Sequence, residues 1–415
     1  MNKLSNYWQR WCLCYRENGL KYTVKKTMGR IRYRLTGTSP DLNNYPVEKD
    51  NGYFSKSKIK VDPAKLNVGI KIEGGVGDYI IAANFIYKFK QKYYIPAMSI
   101  DVFYVRNQEA AQSILGDNLI DNQYLIIDGV AEEDLYRKYD LFIRLSRYPV
   151  FQNRNPQKIQ MFNPELLAYV QALEKFRWKN ARFFDRGALF DGQTAMLSNI
   201  YGAKRIQQGD IDGLLGITEE YEFPIAVRDN SEEYLRGIGL TVDKYILIVA
   251  SADARNGGVV NNKLWPEEYW NLLIEQIKAA YPQYKIVLIG DSSIHENTIN
   301  VDLNLSGTTC FEDVKIIIRD AVLLISSEGG MVHLRYALTN KKSLVLFGPT
   351  DMEFYGYSNN INIRSSVCKY ACEWICKEWF HHCVHKELKA CMWALTPKMV
   401  MKEVDKFFEE ISSNG

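Results

Sequence analysis

The turn GGVGD (Gly74–Asp78) is the first group of residues whose types and spacing could do chemistry. It follows the strand-like segment LNVGIKIE and opens an apolar helical pattern. Gly75 and Gly77 allow the backbone to approach a ligand closely. Asp78 falls at the start of the helix, where a carboxylate is either a helix cap or a general base. Both interpretations stay open at this point.

The turn SSEGGMVH (Ser326–His333) occupies the corresponding place later in the chain. Two glycines expose backbone N–H groups at a helix start, an anion site suited to a diphosphate. The carboxylate before them can accept hydrogen bonds from a sugar hydroxyl. The histidine is either a packed or capping residue or a ligand contact. The candidate ligand-binding residues of this turn are Glu328, Gly329, Gly330, Met331 and His333.

The loop between Ala250 and Pro266 is long for a connection from a strand to a helix, which favours a functional role. Ser251 follows the strand directly and is a further candidate for ligand binding. Lys263 lies beside a helix N-terminus, where a cation is unfavourable unless an anion is near. This position indicates phosphate binding.

A cysteine-rich segment follows near the C-terminus. Five of the eight cysteines lie within 368–391, with three histidines between them. Thiolates, alone or mixed with imidazoles, form tetrahedral Zn²⁺ or iron sites, and the alternative is a set of free buried thiols. The candidate ligands are Cys368, Cys372, Cys383 and Cys391, while other combinations with the histidines stay open.

Strands and helices alternate around these turns. Apolar runs such as Tyr245–Ala250 and Ala321–Ser327 have strand length, and helical patterns separate them. This order predicts an α/β fold with buried parallel sheets, doubly wound by right-handed crossovers. Ligands of such sheets bind beyond the carboxyl ends of the strands, which is where the three turns fall.

Composition and charge exclude several classes. With 415 residues and 47% apolar residues, the chain can form two domains with real cores and is not disordered. A net charge of +3 argues against a general nucleic-acid binder. The charge is uneven, because residues 1–40 hold nine Lys/Arg and one acid. This basic, amphipathic segment suits an anionic membrane surface, or alternatively packs on its own domain.

Several segments together resemble glycosyltransferase family 9, the heptosyltransferase-like enzymes of bacterial surface polysaccharide assembly. GGVGDYIIAAN resembles the family's Gly-Asp loop, and NKLWPEEYW resembles its Lys-x-Trp-Pro segment. LSGTTCFEDV, SSEGGMVH, LFGPTD and ACMWALTPKMV match further family segments in order. The chain departs from the family in having Glu328-Gly329-Gly330 in place of Asp-Thr-Gly. Some relatives also carry metal-binding inserts that the cysteine-rich segment resembles.

The resemblance implies two Rossmann-like doubly wound domains facing a cleft, the GT-B architecture, with a helical basic N-terminal extension. It also implies a C-terminal helix that returns to the first domain. The expected divisions are a basic extension and linker (1–57), an acceptor domain (58–240), a nucleotide-sugar domain (241–395, with the Cys-rich insert 368–391) and the returning helix (396–415).

The activity implied by the resemblance is inverting transfer of a heptose-like sugar from a nucleotide-diphosphate sugar, such as ADP-heptose. Asp78 would be the catalytic base and Lys263 would stabilise the diphosphate. No catalytic metal is expected, so any Zn or Fe at the cysteines would be structural. The alternatives are a nucleotide-sugar epimerase and a non-catalytic nucleotide-sugar-binding or assembly protein.

The expected acceptor is a glycan or glycolipid hydroxyl of lipopolysaccharide or another surface glycan, with a protein hydroxyl as a further option. The N-terminus lacks the features of a signal peptide, so we expect a cytoplasmic protein, peripheral on the inner membrane through residues 1–40. The oligomeric state is left open.

Overall fold

The computed structural model describes residues 59–126, 135–145, 147–184, 191–251, 261–290, 298–375, 379–380, 382–385 and 389–414. Within these residues it contains two α/β units, each built on a mostly parallel sheet, and this confirms the predicted fold class. The predicted basic extension lies outside the described residues.

The first sheet has the strand order β3-β2-β1-β4-β5, with β5 antiparallel to β4 and the other pairs parallel. All seven residues of β1 are buried, as expected of a central parallel strand covered on both faces. The strands are β1 (Leu66–Ile72), β2 (Met98–Tyr104), β3 (Asn122–Leu125), β4 (Leu141–Leu145) and β5 (Pro149–Arg154).

Helices cover this sheet and extend from it toward the second unit. Asn163 ends one of them and caps the next through its side-chain oxygen, which accepts from the Leu166 N–H at 2.9 Å. They are α1 (Val76–Tyr93), α2 (Gln108–Leu119), α3 (Pro156–Phe162), α4 (Pro164–Lys179), α5 (Ala181–Phe184), α6 (Asp191–Ile200), a 3₁₀ helix (Arg205–Asp210) and α7 (Ser231–Gly237).

The second sheet is entirely parallel, with the order β11-β10-β9-β6-β7-β8. Its strands are β6 (Tyr245–Val249), β7 (Lys285–Leu288), β8 (Leu303–Asn304), β9 (Leu323–Ser327), β10 (Ser343–Phe347) and β11 (Ile361–Arg364). Its helices are α8 (Glu267–Ala280), α9 (Phe311–Asp320), α10 (Gly330–Leu338), α11 (Met352–Tyr355), α12 (Cys372–Ile375), α13 (Ala390–Ala394) and α14 (Pro397–Asn414).

The two units pack directly on each other. The start of α1 contacts α10, and α2 contacts α9. At the second contact, the Phe311 N–H donates to Glu109 at 2.6 Å and Ser113 hydrogen-bonds Glu312. One continuous apolar cluster therefore includes residues from both sheets.

The C-terminal helix does not lie where the sequence predicts it. We expected residues 396–415 to return to the first domain, but α14 packs against α8 of the second unit. Val404 and Phe408 of α14 are buried in the same cluster as Trp270, and Tyr281 donates to Asp405 at 2.9 Å. The apolar side of α14 thus covers the second sheet.

A carboxylate pair, of which Asp210 is buried and Asp212 is partly buried, lies at the end of the 3₁₀ helix. Asp210 accepts the N–H groups of Leu215 and Ile217 at 2.7 and 2.9 Å, and Asp212 accepts the Tyr148 hydroxyl at 2.8 Å. Burial, together with the adjacent Asp212, raises the pKa of Asp210 to about 6.

We predict that this pair makes stability pH-dependent. Because the pKa of Asp210 in the folded chain lies above its unfolded value of about 3.9, the folded state binds more protons between these values. The free energy of unfolding should therefore fall as pH rises from about 4 to about 6. Asp212→Asn should reduce that fall by about 1 kcal/mol, measured by urea denaturation across this range. The exposed Asp229→Asn is the control, and an equal change in both variants would contradict the prediction.

Candidate functional site

The start of α1 presents Asp78 at the carboxyl end of β1. Gly74 has a φ of +125°, which turns the chain out of the strand in a conformation that favours glycine. Gly75 is the N-cap, and its N–H donates to Asp78 Oδ2 at 2.8 Å. The capping interpretation of Asp78 is therefore correct. The cap uses only Oδ2, so Oδ1 can bind a different partner.

Asp78 Oδ1 accepts a hydrogen bond from Arg205 Nη2 at 2.5 Å. Arg205 is 5% exposed, and its Nε and Nη1 have no hydrogen-bond partner among the described residues. Burial by itself would raise the pKa of Asp78, but Arg205, Arg147 and the Gly75 N–H outweigh it and hold this pKa below its usual value. The carboxylate is consequently ionised at neutral pH.

The start of α10 faces α1 from the second unit. Gly329 is its N-cap, and Glu328 lies just before it at the carboxyl end of β9. Glu328 is buried and forms a short ion pair with Lys263 Nζ. Burial would raise the pKa of Glu328, but Lys263 lowers it below its usual value overall. Lys263 and Glu328, predicted separately from sequence, are thus direct partners.

His333 lies on the first turn of α10 and is 4% exposed. Its Nδ1 is 2.5 Å from the Tyr357 hydroxyl. Burial, followed by the positive charge of Arg205, lowers the pKa of His333 to about 4. The imidazole is therefore neutral at physiological pH, and the packed interpretation of this histidine fits the structure.

The two helix starts touch at glycines. A Cβ placed on Gly77 would lie 2.7 Å from His333 Cδ2 and 3.2 Å from Gly330 Cα. A Cβ on Gly330 would lie 3.0 Å from the Gly77 nitrogen. The absence of side chains at Gly77 and Gly330 therefore allows the first unit to place Asp78 in the same cleft as Glu328 and Lys263.

Tyr355 lies between three cations of this cleft. Its ring centroid is 5.7 Å from Arg205 Cζ, 5.9 Å from Lys263 Nζ and 6.0 Å from Arg147 Cζ. These distances allow cation–π attraction. Its hydroxyl accepts from Arg147 Nη1 at 2.7 Å and donates to Glu373 Oε2 at 3.1 Å. Burial raises the pKa of Glu373 to about 7.

The remaining predicted binding residues follow the carboxyl ends of strands in the second sheet. Ser251 follows β6 and is partly buried, and Met331 lies on the first turn of α10. Residues 252–260 of the loop between Ser251 and Lys263 lie outside the described residues. Trp379 borders the site next to Lys263, because Lys263 Nζ lies 5.7 Å from its ring centroid.

The predicted metal ligands come close to one another in the cysteine-rich segment. Cys368 Sγ is 3.3 Å from His385 Nε2, and Cys368 also hydrogen-bonds Cys372. Burial raises the pKa of Cys391 to about 11, and Cys368 and Cys383 act on it in the same direction. The described residues nevertheless contain no group of three or more His, Cys, Asp or Glu side chains that could hold a metal ion. The described side chains thus do not fit a metal site as they stand.

Four site residues escaped sequence reasoning: Arg147, Arg205, Tyr355 and Glu373. Arg147 follows β4 closely, so the rule of carboxyl strand ends points to it, whereas Tyr355 is the last residue of α11 and lies well beyond the end of β10. Arg205 lies in a stretch without clear periodicity, and Glu373 lies between cysteines that drew attention to metal binding. Neither carried a signal of its own.

A family model for glycosyltransferase family 9 (heptosyltransferase) matches residues 218–378. These residues include β6, Lys263, the start of α10 and Tyr355. A search of curated proteins finds no match.

Solved structures show the same fold at low sequence identity. E. coli ADP-heptose LPS heptosyltransferase II is 14% identical, covers 83% of this chain and 99% of its own, and has a TM-score of 0.51. A family 9 glycosyltransferase of Veillonella parvula is 14% identical, with coverages of 83% and 97% and a TM-score of 0.52. TibC, a dodecameric iron-containing glycosyltransferase of enterotoxigenic E. coli, is 12% identical, with coverages of 85% and 81% and a TM-score of 0.52.

We predict that Gly77→Ala will separate the two helix starts. The added methyl group would overlap His333, which is buried and cannot move aside, so the chain should lose about 1–3 kcal/mol of unfolding free energy. Thermal and urea denaturation measure the loss. Gly237→Ala on α7 is the control, because a Cβ there would have no heavy atom within 4 Å. Equal stability of the two variants would show that the contact at Gly77 is not tight.

Proposed function

We propose that this chain, whose residues 218–378 match the model of glycosyltransferase family 9, transfers a sugar with inversion from a nucleoside-diphosphate sugar to a hydroxyl acceptor. The observation that carries this proposal is the meeting of Asp78 with Lys263 and the start of α10 across one cleft. One side offers an ionised carboxylate, and the other offers the groups that bind a diphosphate.

The diphosphate would bind at the start of α10. Its N-terminal N–H groups favour an anion, and Lys263 adds a positive charge. Lys263 is paired with Glu328, so donor binding would require Lys263 to exchange a carboxylate for a phosphate. Glu328 would then be free to accept hydrogen bonds from sugar hydroxyls. Such an exchange keeps a buried charge paired in both states.

Asp78 would act as the base for the acceptor. The acceptor oxygen attacks the anomeric carbon, the bond from that carbon to the diphosphate breaks with its electron pair, and the proton passes to Asp78. A carboxylate has about four lone-pair sites, so the bonds from Gly75 and Arg205 leave room for this proton. Arg205 would orient the carboxylate and keep it ionised.

ADP-heptose or a similar compound is the donor that we propose, and the acceptor is a glycan, a glycolipid of lipopolysaccharide or a protein hydroxyl. The match of residues 218–378 to this family supports transfer over the two alternatives, an epimerase and a non-catalytic binding protein. Release of nucleoside diphosphate that depends on an acceptor would distinguish transfer from both.

A structural Zn or Fe at Cys368, Cys372, Cys383 and Cys391 stays a prediction, and it carries no step of the proposed reaction. TibC, which has the same fold, is an iron-containing protein, and this motivates a search for metal in the present chain. Metal analysis of the purified full chain decides the question, and a metal-free protein would end this prediction.

We predict that Asp78→Asn will remove most turnover and leave ADP binding nearly intact. The amide cannot accept the acceptor proton, and loss of a general base typically costs about 10²–10⁴-fold in rate. The measurements are ADP release from ADP-heptose with an acceptor and calorimetric titration with ADP. Asp229→Asn on the exposed surface is the control. Turnover at the wild-type rate in Asp78→Asn would refute the assignment.

We predict that Lys263→Met will weaken ADP binding by about tenfold or more and leave adenosine binding unchanged, because only the diphosphate contacts the ammonium group. The variant also leaves Glu328 buried without its partner, so Lys263→Met with Glu328→Gln separates the two effects. Calorimetry with both ligands provides the measurement, and the exposed Lys244→Met is the control. An equal loss for ADP and adenosine would contradict a phosphate contact.

The basic segment 1–40 would bring the protein to an anionic membrane, and this prediction lies outside the described residues. No described helix is at once long and apolar enough to cross a bilayer. Deleting residues 1–40 should release the protein from vesicles that contain anionic lipid and should spare activity on soluble acceptors. Vesicle sedimentation measures binding. A truncated protein that fails to fold would instead show that the segment belongs to a core.

A further inference from the structure

Glu373 is a buried carboxyl group that the proposed reaction does not use. It lies on α12 in the cysteine-rich segment and is 1% exposed. Its Oε1 accepts the Asp351 N–H at 2.8 Å, and its Oε2 accepts the Tyr355 hydroxyl at 3.1 Å. α12 also packs against α6, so Glu373 lies where the two units meet.

The Tyr355 hydroxyl lies between a donor on Arg147 and an acceptor on Glu373. A guanidinium group can only donate, so the hydroxyl must accept from Arg147 Nη1. Its single proton is then available for Glu373 Oε2, which accepts it. Glu373 thereby fixes the direction of the hydroxyl, and the hydroxyl fixes one edge of the Arg147 guanidinium.

Arg147 belongs to the first unit, where it follows β4. Its positive charge acts on Asp78 and lowers the pKa of that carboxyl. A hydrogen-bonded series therefore runs from the cysteine-rich segment through Tyr355 to Arg147. Arg147 shares the Tyr355 ring with Arg205, which hydrogen-bonds the proposed base. The series crosses from the second unit to the first at the bond between Tyr355 and Arg147.

We propose that Glu373 is a positioning residue for sugar transfer, which holds Arg147 in place through the Tyr355 hydroxyl. The inference rests on the proposed function of Asp78. The cysteine-rich segment thus contributes to turnover through this one carboxylate, in addition to any structural role of its thiols.

A purely structural role would be limited to the Asp351 N–H. Glu373→Gln separates the two roles, because a glutamine can keep its oxygen toward Asp351 and then presents an NH₂ group to Tyr355. The bond to Asp351 survives in that variant, whereas the Tyr355 proton loses its acceptor. Tyr355→Phe is the second variant, which keeps the ring and removes only the hydroxyl.

Crystal structures of the wild type, Glu373→Gln and Tyr355→Phe provide the direct test. We expect the Arg147 guanidinium to leave its wild-type position in both variants. An unmoved Arg147 would overturn the proposal whether or not Asp78 is the base. Retained turnover in Asp78→Asn would instead refute the base and leave the test of Arg147 unaffected.

Kinetics of ADP release from ADP-heptose provide the second test. Each single variant should lower kcat about tenfold with an unchanged donor KM. The double variant should be no slower than either single variant, because both remove the same series of bonds. Glu353→Gln is the matched control, since that side chain is 75% exposed on neighbouring α11. Additive effects, or a loss confined to donor KM and melting temperature, would overturn the proposal.

Discussion

The contact between two helix starts determines where the chemistry of this molecule can take place. Gly77 and Gly330 bring the backbones of α1 and α10 together at a distance that no side chain would permit. Each helix follows the carboxyl end of a central strand, so the contact joins the ligand-binding edges of two sheets. The placement of Asp78 opposite Glu328 and His333 depends on this contact.

Cations and carboxyl groups are paired with one another in the cleft. Arg147, Arg205 and Lys263 surround Tyr355. Arg205 donates to Asp78, and Lys263 pairs with Glu328. Arg147 is connected to Glu373 through the Tyr355 hydroxyl. Buried ions are tolerated when they are paired, and this mutual pairing lets six ionisable groups share a small volume. His333 stays neutral chiefly because it is buried, and the positive charge of Arg205 adds to this effect. A diphosphate would be an anion that competes with Glu328 for Lys263. The pairing of Lys263 with Glu328 would therefore affect how strongly the donor binds.

The strands and the glycine turns were predictable because they depend on local pattern. Buried apolar runs such as β1 and β6 and the turn around Gly329 follow from residue order alone. Arg205 and Glu373 could not be found in that way, since a polar residue gains its role from partners far along the chain. The position of α14 was expected wrongly, because an amphipathic helix shows which of its faces is buried and not which sheet covers it. The sequence separated Lys263 from Glu328 by more than sixty positions, and only the folded parallel sheet joins them.

The position of α14 has a mechanical consequence for the two units. From β6 onward, every described strand joins the second sheet, and α14 packs there as well. Among the described residues, the backbone therefore passes from one sheet to the other once, just before Tyr245. Two units joined by one backbone connection can rotate relative to each other about more axes than two units joined by two connections. The angle between the units therefore depends on the non-covalent contacts at Gly77, Arg147 and Glu109.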